Sequence, residues 1–104
     1  MLTTRRWARL RKRVIARDGG CCRMCGVQIY AGRRGPDAAM VDHIRPRALR
    51  PDLAWDEDNC QTTCAACHNG ACASIEARHD DDADAIAAEK ARGCGFDVAG
   101  RPIW

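Results

Sequence analysis

Two Cys-X-X-Cys pairs constrain this 104-residue chain more than any other feature. In each pair, the spacing brings two thiolates to one side of a tight turn, and two such turns supply the four sulfur ligands of a tetrahedral zinc ion. Pairing Cys21 with Cys25 would require a three-residue spacing, so we assign Cys22 to the first pair. The sequence therefore predicts a structural Zn2+ site with four ligands: Cys22, Cys25, Cys64 and Cys67.

The chain has few large side chains with which to fill a hydrophobic core. Five of its 104 residues are aromatic, and much of its apolar fraction is alanine, which buries little area. The length fits a single domain over residues 1–104, but small domains with a weak core commonly need disulfides or a structural metal. The paired spacing of the cysteines favours zinc in this role.

The N-terminus indicates the expected compartment. The chain begins Met-Leu-Thr-Thr-Arg-Arg and no apolar run follows, so we expect no signal peptide. We also expect no membrane segment, because no stretch approaches the length of a span. These expectations predict a cytoplasmic protein, in which thiols stay reduced and are available to metal. The alternative is a secreted disulfide scaffold, which predicts no free thiols and no zinc.

Positive and negative charges are separated along the chain. Residues 1–50 contain 13 Arg and Lys against 3 Asp, a net charge of +10, whereas residues 51–104 contain 4 against 11 acidic residues, a net charge of −7. These values sum to the +3 of the whole chain. A basic half is suited to following a phosphate backbone. A solvated helix face followed by an acidic, solubilising tail would give the same distribution, so charge alone does not separate the two.

The apolar pattern predicts three segments. Residues 1–18 form a basic helix in which an apolar stripe faces the core, and we interpret Trp7 in that stripe as packing against the zinc module. Residues 21–76 form a zinc-bound core with strands at 27–30 and 38–44, a short strand before the second cysteine pair, and a helix at about 65–79. Residues 77–104 form an acidic helix, over 80–92, and an apolar C-terminal flap.

The stretch between and just beyond the cysteine pairs contains side chains that transfer protons and bind divalent ions. Asp42 and His43 are adjacent, Asn59 follows, and His68 comes directly after Cys67. Strict strand geometry would direct Asp42 and His43 to opposite faces, so a shared site would have to lie at the strand end. Each residue also has an ordinary interpretation: His43 as a hydrogen-bonded histidine, Asn59 as a turn cap, and His68 as an unused neighbour of the zinc.

The order of these motifs resembles that of HNH endonucleases of the small zinc-bound type common in phages and prophages. The resemblance covers about residues 5–76 and rests on the succession Cys-X-X-Cys, Asp-His, Asn and Cys-X-X-Cys-His. It implies an α+β fold, a small zinc-bound ββα-metal (His-Me finger) nuclease domain with flanking helices. It further implies that His43 is the general base and that Asn59 positions the loop carrying this base. Asp42 and His68 would then bind a catalytic Mg2+, Mn2+ or similar divalent ion.

The activity implied by the resemblance is metal-dependent hydrolysis of DNA phosphodiester bonds, by nicking or cutting, in the cytoplasm of a bacterial host cell. The implied partners are DNA and, from the phage members, terminase and other packaging proteins. Many relatives carry a lysine shortly after the last histidine, whereas this chain has Gly70-Ala71-Cys72 there. Candidates for phosphate contact are then arginines: Arg9, Arg13, Arg33, Arg34, Arg45 and Arg47. The alternative function is a non-catalytic zinc module that binds DNA or a protein, with Asp42 and His43 structural.

Overall fold

The computed structural model describes residues 5–29 and 39–93. Two strands and four α-helices lie in these ranges: α1 (Arg5–Arg17), β1 (Ala39–His43), β2 (Cys60–Cys64), α2 (Ala65–Cys67), α3 (Ala73–His79) and α4 (Ala83–Lys90). A π-helical turn, His68–Cys72, joins α2 to α3. Two 3-10 turns, Pro51–Leu53 and Glu57–Asn59, lie between the strands. The predicted α+β class is confirmed. The C-terminal flap and the loop with Arg33 and Arg34 fall outside the described residues.

The two strands form an antiparallel pair. Ala39 lies opposite Cys64, and His43 lies opposite Cys60. Both the predicted strand ending near His43 and the short strand before the second cysteine pair are confirmed. Because side chains alternate along a strand, Asp42 and His43 point to opposite faces of this sheet.

Residues 27–29, the described part of the predicted strand at 27–30, do not form a strand. Those residues make an isolated bridge, in which Gln28 pairs with Cys21. The chain has just turned back on itself, because the N–H group of Cys22 donates to the carbonyl oxygen of Val27 at 2.9 Å. The segment is therefore paired with its own preceding residues, and it closes the turn that carries the first cysteine pair.

Two hydrophobic clusters hold the described elements together. The first surrounds the four cysteines and contains side chains from distant parts of the chain: Met24, Ile29, Ala39, Cys72, Ile75 and Ile86. The second lies against α1, where Leu10 and Val14 are buried with Cys60, and where Trp7 and Trp55 are packed at the periphery. The predicted apolar stripe of α1 is thus confirmed.

Trp7 packs against the predicted zinc-bound core, as expected, but beside His43 and Trp55 rather than at the four cysteines. Trp7 belongs to the second cluster, where its ring meets that of Trp55 edge to face at 6.2 Å. The turn with the first cysteine pair follows the C-terminal end of α1, and Trp7 lies about 15 Å from Arg17 along the helix axis, at 1.5 Å per residue. Ile15, near that C-terminal end, contacts the first cluster instead.

Asp18 anchors the end of α1 to β2. Its buried carboxylate accepts hydrogen bonds from the N–H group of Thr62 at 2.9 Å and from Arg17 Nε at 2.9 Å. Arg17 also donates to the carbonyl oxygen of Cys60 at 2.7 Å. Burial opposes ionisation of Asp18, but the hydrogen bonds from Arg17 and Thr62 outweigh it and hold the pKa of this carboxyl below its usual value.

The helices after β2 follow the predicted segments with two differences. The predicted helix at about 65–79 is interrupted by the π-helical turn that contains Gly70. The acidic helix begins at Ala83 rather than residue 80, because Asp82 accepts a hydrogen bond from the N–H group of Ala85 at 3.0 Å and caps it. Within the described ranges, no helix combines the length and the apolar character that crossing a membrane requires.

Candidate functional site

The four predicted zinc ligands lie together. The Sγ atoms of Cys22, Cys25, Cys64 and Cys67 are all within 4.8 Å of one another. The Cys25 and Cys64 sulfurs are 3.9 Å apart, and a tetrahedral site with Zn–S bonds of about 2.3 Å requires sulfur–sulfur distances of about 3.8 Å. The cluster therefore has the donor atoms and dimensions of a four-thiolate metal site. In the described ranges, it is the only group of three or more His, Cys, Asp or Glu side chains this close together.

In each turn, a backbone N–H group points at the sulfur of the first cysteine. The N–H group of Cys25 approaches Cys22 Sγ at 3.5 Å, and that of Cys67 approaches Cys64 Sγ at 3.4 Å. Burial works against ionisation of Cys22, but hydrogen bonds from the backbone N–H groups of Cys25, Cys64 and Met24 outweigh it and lower the pKa of Cys22. Burial raises the pKa of Cys25 to about 11. A bound cation is what stabilises the remaining thiolates.

The cysteines outside the cluster are ordinary thiols where the structure describes them. Cys60 and Cys72 are buried, and burial raises the pKa of Cys60 to about 11 and that of Cys72 to about 12. Both side chains therefore stay protonated at neutral pH and serve as small core residues. No cysteine within residues 5–29 and 39–93 forms a disulfide.

His43 lies at the end of β1 with its ring fixed on two sides. Its Nε2 atom is 3.0 Å from the carbonyl oxygen of Ala54. Because a carbonyl oxygen only accepts hydrogen bonds, Nε2 carries the proton and Nδ1 of the neutral ring keeps its lone pair. The indole of Trp7 stacks on the imidazole, with ring centroids 5.5 Å apart and planes inclined by 24°. In the neutral form, the ring is thus held with Nδ1 able to accept a proton.

Asn59 ties down the segment that follows His43. Its Oδ1 atom accepts a hydrogen bond from the N–H group of Arg45, and its Nδ2 atom donates to the carbonyl oxygen of the same residue, each at 3.0 Å. Its own carbonyl oxygen accepts from the N–H group of Ile44 at 2.8 Å. These bonds fix the backbone immediately after His43, which is the geometry that a positioning role requires.

Asp42 points to the other face of the sheet, where it is 2% exposed. Gln61, opposite it on β2, donates to Oδ2 at 3.0 Å. Lys90 of α4 contacts both carboxylate oxygens, at 3.0 and 3.2 Å. The Lys90 ammonium also donates to Glu76 and to the carbonyl oxygen of His43.

The interactions of Asp42 were not foreseen from the sequence, although one signal was present. Lys90 comes four residues after Ile86, so it falls on the buried face of α4. A lysine at a position where the helical period calls for an apolar residue indicates a buried partner of opposite charge. Nothing in the local sequence identifies Asp42 as that partner.

His68 lies at the start of the π-helical turn, and its Nδ1 atom is 3.4 Å from Asn69 Oδ1. No hydrogen bond or ion pair within the described residues joins His68 to Asp42, so the structure does not bring the two predicted ligands of the catalytic ion into direct contact.

Two of the arginines predicted to contact phosphate form ion pairs within the protein. Arg13 pairs with Glu57 at 2.8 Å, and Arg45 pairs with Asp84 at 3.0 Å. Such exposed pairs are weak and exchange readily for another anion. The exposed side chains of Arg9 and Arg47 have no partner within residues 5–29 and 39–93.

Comparisons with known proteins identify the family. A family model described as HNH endonuclease matches residues 22–71, which contain both cysteine pairs, Asp42, His43, Asn59 and His68. The chain is also similar to the solved structure of the HNH endonuclease of the deep-sea thermophilic bacteriophage GVE2 with a manganese ion. That match has 31% sequence identity and a TM-score of 0.57, and it covers 73% of this chain and 78% of the other. A search of curated proteins found no match. The chain belongs to the HNH endonuclease family.

Proposed function

We propose that this protein is a divalent-metal-dependent endonuclease that hydrolyses DNA phosphodiester bonds, by nicking or cutting, with His43 as its general base. Family membership supports nuclease function in general. The observation that carries the proposal is the bond between His43 Nε2 and the carbonyl oxygen of Ala54, because it leaves Nδ1 free to accept a proton from water.

In the proposed reaction, the water oxygen attacks phosphorus in line with the leaving oxygen. A new P–O bond forms, the bond to the leaving oxygen breaks, and the water proton moves to His43 Nδ1. The stacked indole of Trp7 stabilises the imidazolium that results. The leaving oxygen takes a proton from solvent, and His43 then returns its proton to solvent.

The proposed catalytic ion is Mg2+, Mn2+ or a similar divalent cation held by Asp42 and His68. Carboxylate and imidazole are donors that such ions accept. When bound, the ion would stabilise charge on the phosphoryl and leaving oxygens. The manganese ion in the GVE2 enzyme structure supports a divalent ion as the cofactor. For the four-cysteine cluster we propose structural Zn2+, because a tetrahedral four-thiolate site suits that metal.

We further propose that DNA is bound by the basic surface and that the protein acts with phage packaging proteins in the cytoplasm of a bacterial host. Arg9 and Arg47 are exposed for phosphate contact, and Arg13 and Arg45 become available when their acidic partners are displaced. The phage origin of the GVE2 enzyme supports a phage role. Co-purification with the terminase encoded in the same genome tests the packaging role, and its absence would contradict that role.

The nuclease proposal predicts that purified protein converts supercoiled plasmid to nicked or linear DNA with Mg2+, Mn2+ or Ni2+, and that EDTA stops the reaction. His43→Ala should lower the rate by about 100-fold or more because the general base is lost. His79→Ala is the matched control, since His79 pairs with Glu89 on α4 and makes no contact with His43.

Equal cleavage by wild type and His43→Ala would contradict the assignment of the base. If the wild type binds zinc and DNA but does not cut, the alternative function of a non-catalytic zinc module is correct. One observation favours that alternative: the buried Asp42 carboxylate is already bonded to Gln61 and Lys90.

A further inference from the structure

Lys90 is a buried cation for which the proposed reaction has no use. The residue is 2% exposed, and its ammonium nitrogen is in contact with three acidic or carbonyl groups. It lies 3.0 and 3.2 Å from the two oxygens of Asp42, 2.9 Å from Glu76 Oε2 and 2.8 Å from the carbonyl oxygen of His43. An ammonium group has three N–H donors, so these three partners use its full hydrogen-bonding capacity.

The contacts of Lys90 converge on the two residues that the proposed reaction needs in β1. One is the Asp42 carboxylate, and the other is the backbone of His43, at the point where the chain leaves the sheet. The ring of His43 is held on the opposite face by Ala54. Lys90 and Ala54 therefore fix His43 from two sides, one through its main chain and one through its side chain.

We propose that Lys90 is a positioning residue of the nuclease site, which holds the Asp42 carboxylate and the His43 backbone in place from helix α4. This inference rests on the proposed function. It extends the site beyond residues 22–71, where the family model matches, because Lys90 and its partner Glu76 both follow that region.

A purely structural role would not require the ion pair of Lys90 with Asp42, because well-packed apolar residues in place of a buried ion pair are often as stable or more stable. Ile86 packs on the same face of α4, and an apolar residue at position 90 would avoid the desolvation of an ammonium group. With two carboxylates against one ammonium, the group Asp42, Glu76 and Lys90 keeps one net negative charge. Lys90 thus orders the carboxylate without cancelling its attraction for a divalent ion.

The test compares Lys90→Met, which removes the ammonium but keeps an unbranched chain, with Lys90→Gln, which keeps an N–H donor. Glu89→Gln is the matched control, because it removes a charge from the adjacent residue of α4 whose partners are Arg78 and His79. Zinc content and melting temperature establish that each variant is folded. The first readouts are kcat and KM for plasmid nicking. The second is the NMR signal of the His43 Nε2–H proton, recorded on zinc-loaded protein without added Mg2+ or Mn2+.

We expect Lys90→Met to lower kcat by about tenfold or more, because small displacements of reacting groups cost this much. KM should stay within about twofold, since substrate binding does not involve Lys90. The His43 Nε2–H signal should broaden through faster exchange with water. Lys90→Gln should have a smaller effect, and Glu89→Gln should behave as the wild type does.

A folded Lys90→Met protein with wild-type kcat and an unchanged His43 signal would overturn the inference. So would loss of folding in both Lys90 variants, which would show that the role is structural. If the wild type does not cut DNA, the proposed function fails, while the NMR signal still decides whether Lys90 positions His43. A further check is the Asp42→Asn background, in which Lys90→Met should add little to the loss of kcat because the two residues act together.

Discussion

His43 is held by residues from three parts of the chain. Trp7 of α1 stacks on its ring, Ala54 of the connection between the strands accepts from its Nε2–H group, and Lys90 of α4 donates to its carbonyl oxygen. A general base needs one defined tautomer and one defined direction toward the water. These contacts supply both, and none of them comes from a residue adjacent to His43.

The stacking of Trp7 on the imidazole of His43 predicts how replacement of Trp7 affects stability and activity. Trp7→Leu keeps an apolar side chain over the second cluster but removes the aromatic face, so we expect the free energy of unfolding to fall by about 1 kcal/mol. We expect kcat for plasmid nicking to fall by about tenfold, because the ring of His43 is less well oriented. Urea denaturation and initial nicking rates measure the two effects.

Trp55→Leu is the control for that prediction. Trp55 packs against Trp7 but not against His43, so its replacement should affect stability more than kcat. If Trp55→Leu and Trp7→Leu lower kcat equally, the stack on His43 has no special role.

At the scale of elements, α1 and β2 are joined through Asp18. The carboxylate accepts from the N–H group of Thr62 in the middle of β2, and Arg17 extends the contact to the carbonyl oxygen of Cys60. The joint sets the position of the basic helix relative to the sheet that carries the site. It also brings Trp7, at the other end of the same helix, onto His43.

The hydrogen bonds of the Asp18 carboxylate predict a pH-dependent contribution to stability. The pKa of Asp18 is lowered in the folded state, so its contribution is present above the ordinary value of 3.8 and is lost as the pH falls through the lower folded value. At neutral pH, Asp18→Ala should reduce the free energy of unfolding by about 2 kcal/mol, because a charged acceptor of buried hydrogen bonds is removed. Urea denaturation of the variant and the wild type measures this difference.

An NMR titration that follows the carboxyl carbon of Asp18 directly measures the direction of its pKa shift. We expect the midpoint of Asp18 to lie below 3.8. A midpoint above that value would mean that burial dominates over the hydrogen bonds from Arg17 and Thr62. Asp58→Ala, at an exposed position, is the control and should leave the stability nearly unchanged.

For the whole molecule, the four-cysteine cluster joins two distant parts of the chain. One pair follows α1 and the other spans the junction of β2 and α2, and most of the first hydrophobic cluster is arranged around them. A small core with few aromatic residues depends on such a link. A metal bound by the cluster would therefore connect the basic helix to the elements that carry His43 and His68.

Removal of the metal should unfold the protein. We expect a strong zinc chelator, Cys22→Ser or Cys25→Ser to abolish the cooperative thermal transition, because ligand binding and folding are coupled in such sites. Cys21→Ser is a matched control, since its sulfur is not part of the cluster. Zinc content by mass spectrometry and thermal melting measured by circular dichroism provide the test, and zinc loss in Cys21→Ser would contradict the assignment of Cys22.

Features that depend on short stretches of sequence were predictable. The spacing of each cysteine pair determines a turn with two sulfurs on one side, and the pattern of Leu10 and Val14 determines the buried face of α1. The alternation of a strand likewise separates Asp42 from His43. In each case, the geometry follows from backbone periods that operate over a few residues.

The tertiary structure alone decided which distant groups meet. That Lys90 reaches Asp42 and that Trp7 lies on His43 rather than at the four cysteines both depend on how helices pack on the sheet. Periodicity identifies the buried face of a helix but not the element that covers it. The partners of His43 and Asp42 were therefore fixed by packing and by the pairing of buried charges, which act between residues far apart in the chain.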